Sequence, residues 1–219
     1  MSNSDKIILN VFIPFSNGKF IASCLMFSPG VYKMLSTDEL FNRLTDPSRT
    51  TWGLIEYNDL DFWWMPEAHE NPRWFMDWMD MDDWKEHLSV NAREVLAGDK
   101  YAFYTCHGGG LIDRLLSKFP NAKVLKIIPD LELTKRNHQL KKPPDPSRHF
   151  PEYDVEDAFN VFNKYPVETE LTFPQAHIYD ETLFKDSILK LAAALSIELD
   201  IDKVLEYRKC YLAHPMNQI

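Results

Sequence analysis

The chain has 219 residues, of which 45% are hydrophobic and 26% charged, a balance that is typical of a soluble globular protein and argues against disorder. Its length suits a single domain over residues 1–219, with a tryptophan-rich insertion at about 50–84. The 33 acidic and 24 basic residues give a net charge of −9, which disfavours nucleic acid and anionic membranes as partners.

Cysteine usage and apolar runs indicate the compartment. Cys24, Cys106 and Cys210 are odd in number and far apart, so they predict neither a disulfide framework nor a zinc site, and they suit a reducing environment. The first residues lack a basic leader, and no stretch approaches the ~18 uninterrupted apolar residues of a membrane span. We therefore expect a cytoplasmic protein that does not span a membrane.

The first part of the chain reads as an α/β unit. KIILNVFIP, residues 6–14, predicts a strand buried on both faces, FSNGK a turn, and FIASCLMFS, residues 20–28, an apolar helix. Ser36 and Glu39 have capping-box spacing for a further helix that ends near Leu44. Residues 82–97 predict a helix that begins at an Asp pair and ends before Gly98.

The second part alternates strands with helices. We predict strands at 101–106 and 123–128, with a helix at 111–119 between them. An irregular proline-rich segment follows at 140–153. AHIYDETLF, residues 176–184, should return the chain to the sheet, and closing helices are predicted at 185–197 and 200–213. This alternation predicts a parallel sheet with helices on both faces, a three-layer αβα architecture.

The FSNGK turn is one candidate site, because ligands of open parallel sheets bind beyond the carboxyl ends of the strands. Amides at the start of the following helix suit a phosphate, and Lys19 would add charge. Compared with the P-loop pattern GxxxxGK[ST], Ile13 replaces the first glycine and Phe20 the hydroxyl residue that holds magnesium. The alternative is an ordinary turn with a surface lysine.

The stretch YTCHGGG, residues 104–110, is the second candidate site. Three adjacent glycines remove side chains where something must come close to the backbone. His107 stands at the predicted end of a strand, so its imidazole could reach the same cleft as the turn and act as a general base. The alternative is a structural histidine.

Four segments, in order, resemble the PAPS-dependent sulfotransferases. IPFSNGKF resembles the 5′-phosphosulfate loop of that family, YTCHGGG its strand ending in Thr-His, LLSKFPNAKVLKIIPD the helix, turn and strand before its 3′-phosphate site, and HIYDETLFKDSILKLAAALSIELD its closing segment. The resemblance spans most of residues 7–202. It implies a P-loop NTPase/sulfotransferase-like fold, with PAPS as co-substrate and without a metal.

The resemblance also implies roles for individual residues. His107 would deprotonate an acceptor hydroxyl, Lys19 would neutralise the departing phosphate, and Gly108 and Gly109 would lie against the acceptor. The donor would be held by residues of the turn and of a later basic segment, namely Phe15, Ser16, Asn17, Gly18, Lys19, Phe20, Lys135, Arg136 and Asn137.

Departures from the family pattern affect the donor site. The family's loop lysine is replaced by Phe15, its 3′-phosphate arginine by Pro129 and its serine by Asn137. Lys135 and Arg136, or Arg208 and Lys209, could restore the charge, although such basic residues also occur on solvated helix faces.

All six tryptophans fall between Trp52 and Trp84. Trp63, Trp64 and Trp74 are candidates for binding a small-molecule or carbohydrate acceptor by stacking, and the alternative is that they form the core of a helical insertion.

Two other functions remain open at this stage. One is a P-loop kinase acting on a nucleotide or small molecule. The other is a non-catalytic binding domain derived from a sulfotransferase.

Overall fold

The computed structural model describes residues 6–33, 35–46, 98–107, 112–141, 154–164, 169 and 171–214, and for residues 105–107, 114, 118 and 141 the description covers the backbone alone. The strands are β1 (Ile7–Phe12), β2 (Ala102–His107), β3 (Lys123–Ile128) and β4 (Leu171–Pro174). The α-helices are α1 (Gly18–Leu25), α2 (Thr37–Thr45), α3 (Ile112–Lys118), α4 (Leu131–Lys141), α5 (Val155–Lys164), α6 (Glu181–Leu195) and α7 (Ile201–Ala213), and a 3-10 helix spans Gln175–Tyr179.

The four strands form one parallel sheet in the order β2-β1-β3-β4. The chain moves from β1 to β2 on one side and then crosses to β3 on the other side of β1. In open α/β sheets such a change of direction creates a crevice at the carboxyl ends of the strands, between β1 and β3 here.

Helices cover both faces of the sheet because the central strand is apolar on both sides. Ile8 and Phe12 of β1 belong to a core cluster with residues of α1, α2, α6 and α7. Ile7 and Leu9 point the other way, as alternation along a strand requires, and pack with residues of α3 and α5. The predicted α/β class with a parallel sheet is therefore confirmed.

Side-chain caps define the starts of three helices; α2 and α7 begin where predicted, whereas α6 begins at Glu181, four residues before the predicted start. Ser36 and Glu39 form a capping box at the start of α2, in which each side chain bonds the backbone of the other residue. The carboxylates of Asp180 and Asp200 accept hydrogen bonds from backbone amides at the starts of α6 and α7. In α6, Ile188, Leu191 and Leu195 are all buried.

The predicted return to the sheet at 176–184 is wrong. The edge strand β4 begins at Leu171, five residues before the predicted segment, because Leu171 and Phe173 are the alternating buried residues that pair with β3. Residues 175–179 form the 3-10 helix, and Asp180 is the N-cap of α6. Helices α4 and α5 were not predicted, and the predicted helix at 82–97 lies outside the described residues.

No helix in the described part of the chain is both long enough and apolar enough to cross a membrane.

Candidate functional site

Both candidate sites lie at the same edge of the sheet. Phe12, the last residue of β1, pairs in register with His107, the last residue of β2. The FSNGK turn follows β1 and His107 is the last residue of β2, so the turn and the His107 backbone lie at neighbouring, parallel strand ends. The predicted reach of the His107 imidazole into the same cleft lies outside the described side chains.

The backbone of the turn alternates in handedness. Phe15 has φ 69° and Asn17 has φ 65°, whereas Ser16 between them is not left-handed and Gly18 begins α1 with helical geometry. Adjacent residues of opposite handedness can direct successive N–H groups toward one point, where an anion binds. In this turn the Ser16 N–H instead donates to the Ile13 carbonyl at 3.2 Å, so an anion would bind the amides that follow, at the N-terminus of α1.

The glycine of the turn is required by packing. A Cβ atom added to Gly18 would lie 2.1 Å from two atoms of the Phe12 ring, closer than real carbon atoms approach. Phe12 is itself buried in the core below α1. Gly18 thus lets the first turn of α1 lie directly against the last side chain of β1.

A buried cluster of three side-chain amides, Asn17, Asn137 and Gln175, supports the turn from below. We call it the amide cluster. The Asn137 amide nitrogen donates to the Phe15 carbonyl oxygen at 2.8 Å and to the Asn17 side-chain oxygen at 2.7 Å. The Gln175 amide nitrogen donates to the same two acceptors, at 3.3 and 2.9 Å. All three residues are less than 10% exposed.

Backbone groups and a hydroxyl fix the orientation of these amides. The Asp130 N–H donates to Gln175 Oε1 at 2.8 Å, so the Gln175 nitrogen must face the turn. Thr134 Oγ1 donates to the same oxygen, also at 2.8 Å. The Asn17 amide nitrogen donates in turn to the Tyr211 hydroxyl at 2.6 Å. The carboxyl ends of β1, β3 and β4 are thereby joined to α7 through one hydrogen-bond network.

Tyrosines around the network are held in the protonated form. Burial raises the pKa of Tyr179 to about 12, with Tyr211 nearby acting in the same direction and a hydrogen bond with Asn137 opposing it. Burial also raises the pKa of Tyr211, which its hydrogen bond with Asn17 partly offsets. Both hydroxyls remain neutral near physiological pH.

The predicted donor-binding residues of the turn differ in how deeply their side chains are buried. Ser16 is buried, and its hydroxyl donates to the Ile13 carbonyl at 2.7 Å within the turn. Phe20 is buried and stacks on Tyr211 with ring centroids 4.0 Å apart, so only its backbone can face a ligand. Lys19 and Phe15 are half-buried.

The predicted basic residues are on α4 and α7. Lys135 forms ion pairs with Glu156 and, at 3.7 Å, with Glu132. Arg136 is half-buried on the same helix. Arg208 is buried, donates from Nε to the Ile178 carbonyl at 2.7 Å and lies 3.4 Å from Glu181.

Sequence reasoning missed Thr134, Gln175 and Tyr211 as parts of this site. Gln175 directly follows β4 and is the first residue of the 3-10 helix, at the edge where ligands bind, but this strand was not predicted. Asn137 was predicted as a donor-binding residue, but both of its amide hydrogens are directed at the turn.

Several predicted residues lie outside the described part of the chain. They are Gly108, Gly109, Trp63, Trp64 and Trp74, and for His107 the backbone alone is described. Within the described ranges, His, Cys, Asp and Glu side chains do not form a group of three that could hold a metal ion.

Comparisons of the chain with protein-family models, with curated proteins and with solved structures gave no match.

Proposed function

We propose that this protein is a sulfotransferase that moves a sulfuryl group from PAPS to a hydroxyl acceptor, for which a carbohydrate is one candidate. The observation that carries the proposal is the turn with two left-handed residues, Phe15 and Asn17, which leads from the carboxyl end of β1 into the N-terminus of α1. A helix N-terminus in this position suits a phosphate, and it adjoins the strand end that carries His107. The resemblance of the sequence to PAPS-dependent sulfotransferases supplies the reaction.

In this proposal the turn holds the 5′-phosphate of the donor. The backbone amides at the start of α1 face the phosphate oxygens, and the ammonium group of Lys19 stabilises the negative charge that develops on the bridging oxygen. Because the whole chain has a net charge of −9, binding of a polyanion depends on such a local arrangement.

His107 takes the acceptor proton as general base. The acceptor oxygen forms a bond to sulfur while the bond from sulfur to the bridging phosphate oxygen breaks. The electron pair of that bond stays with adenosine 3′,5′-bisphosphate, and the sulfate ester leaves with the acceptor. A positioned general base contributes about 10²- to 10⁴-fold to such a step.

Ligand-induced stabilisation tests the donor site. Adenosine 3′,5′-bisphosphate at about 100 times its dissociation constant should stabilise the wild-type protein by about 2.7 kcal/mol. Lys19→Ala should weaken this effect. The matched control is Lys123→Ala, which removes the same charge at the start of β3, on the opposite edge of the sheet. Equal weakening by both variants would contradict a specific role for Lys19.

Transfer of radiolabelled sulfuryl groups from PAPS to a panel of sugars and simple alcohols tests the reaction. His107→Ala should reduce transfer by about 10²-fold or more while leaving bisphosphate binding intact. Magnesium-dependent consumption of ATP without bisphosphate binding would instead favour a kinase. Bisphosphate binding without transfer to any acceptor would favour a non-catalytic binding domain.

A further inference from the structure

We propose that Asn137 and Gln175 are positioning residues, which set the conformation of the anion-binding turn before any ligand arrives. The part of this inference that concerns the ligand, a phosphate or diphosphate group, rests on the function proposed above. The part that concerns the conformation of the turn stands on the geometry alone.

The backbone conformation of the turn costs free energy. Phe15 and Asn17 both adopt left-handed backbone conformations. Residues with side chains rarely do so, and asparagine tolerates this conformation better than phenylalanine. Such conformations persist where surrounding contacts enforce them, and they concentrate at ligand-binding turns.

The amide cluster forms hydrogen bonds with these two residues. Asn137 and Gln175 each donate to the Phe15 carbonyl and to the Asn17 side chain, and to no other residue of the turn. One acceptor is the backbone of the first left-handed residue, and the other is the side chain of the second. The four hydrogen bonds therefore hold the two left-handed residues of the turn.

Other hydrogen bonds hold the amide cluster in place. Gln175 Oε1 accepts from the Asp130 backbone N–H and from Thr134 Oγ1, and Thr134 Oγ1 also contacts the Asp130 carbonyl at 2.6 Å. Asp130 follows β3, Thr134 is in the first turn of α4, and Gln175 follows β4, on the other side of the crevice from the turn. Buried amides that satisfy each other in this way specify one arrangement, whereas apolar side chains would allow several.

The carbonyl and amide groups of the turn therefore have different roles. The carbonyl of Phe15 is held toward the amide cluster, and the amides that follow Asn17 lie at the start of α1. The turn is thus preorganised, which lowers the ordering cost of binding.

Hydrogen–deuterium exchange and anion binding test this inference together. In Asn137→Ala, amides in residues 15–20 should exchange about tenfold faster or more, because buried hydrogen bonds to the turn are lost. Exchange in β1 should stay as in the wild type. Pyrophosphate affinity, measured by calorimetry where circular dichroism shows the variant to be folded, should fall about tenfold or more.

Two further variants keep the test decisive. Asn137→Leu preserves volume and removes both donors, and it serves if the alanine variant does not fold. Asn163→Ala removes the same amide from the exposed face of α5, and we expect wild-type exchange and affinity. Unchanged exchange at the turn in a folded Asn137 variant would overturn the inference, as would wild-type pyrophosphate affinity.

The outcomes separate this inference from the proposed function. If the wild-type protein does not bind pyrophosphate, the anion site is refuted, and the exchange data alone decide whether Asn137 holds the turn. If the wild type binds and the variants bind equally well, the anion site stands and the positioning role is refuted.

Discussion

The side-chain nitrogen of Asn17 donates a hydrogen bond to the hydroxyl oxygen of Tyr211 at 2.6 Å, although the two residues are 194 positions apart in the chain. Asn17 is in the turn after the first strand, and Tyr211 is on the last helix, α7. Both residues are buried. The turn is therefore tied to an element that the chain completes only at its end.

Tyr211→Phe tests the strength of this tie. The variant keeps the ring that stacks on Phe20 and removes the hydroxyl, so the buried Asn17 amide loses an acceptor. We expect the free energy of unfolding to fall by about 1–3 kcal/mol, measured by urea denaturation. Tyr101→Phe, at the amino edge of the sheet, is the control and should change stability by less than about 0.5 kcal/mol. Equal effects of the two variants would show that the Asn17 contact contributes nothing.

Gly18→Ala tests the packing of α1 on β1. The added Cβ would overlap the Phe12 ring at 2.1 Å, so either the ring or the helix must move. Overpacking of this kind destabilises by about 1–3 kcal/mol. In Gly30→Ala the nearest atom is the end of the Ile197 side chain at 3.0 Å, and we expect a smaller loss.

A double-mutant cycle identifies Phe12 as the cause. In the background of Phe12→Leu, the cost of Gly18→Ala should shrink, because the smaller side chain leaves room for the methyl group. An unchanged cost would mean that the strain arises elsewhere in the turn.

The sequence predicted the fold well where apolar runs are long. The run at 6–14 contains β1, and the capping spacing of Ser36 and Glu39 gave the start of α2. Helices α4 and α5 were missed because proline-rich and charged stretches surround them. Among the described side chains of α4, only Thr134 and Asn137 are buried, and both are polar. Their burial depends on β3 and the turn, which no local pattern encodes.

The candidate site, like the fold, could be predicted only in part. The position of the turn after β1 and of the His107 backbone at the end of β2 follows from the rule that parallel strands present their carboxyl ends at one edge. The amide cluster could not be predicted, because its members at positions 17, 137 and 175 meet only through the strand order. In a single sequence, isolated asparagine and glutamine residues are typical of solvent-exposed positions.

The stability of the protein should decrease at alkaline pH because of the tyrosines near the turn. Burial raises the pKa of Tyr179 from the ordinary value of 10.0 to about 12. Between these two values the unfolded chain releases the Tyr179 proton while the folded protein keeps it, so the free energy of unfolding falls as pH rises. Below the lower value this contribution is fully present. Tyr207 and Tyr211, whose pKa values burial also raises, act in the same direction.

Tyr179→Phe isolates one part of this dependence. Urea denaturation at several pH values above about 10 should give a shallower decline for the variant than for the wild type. The difference in slope is at most about 1.4 kcal/mol per pH unit, the value for a single proton, and solvent screening of this partly exposed side chain makes it smaller. A residual decline should remain from Tyr207 and Tyr211. Identical slopes for the two proteins would show that Tyr179 titrates alike in the folded and unfolded states.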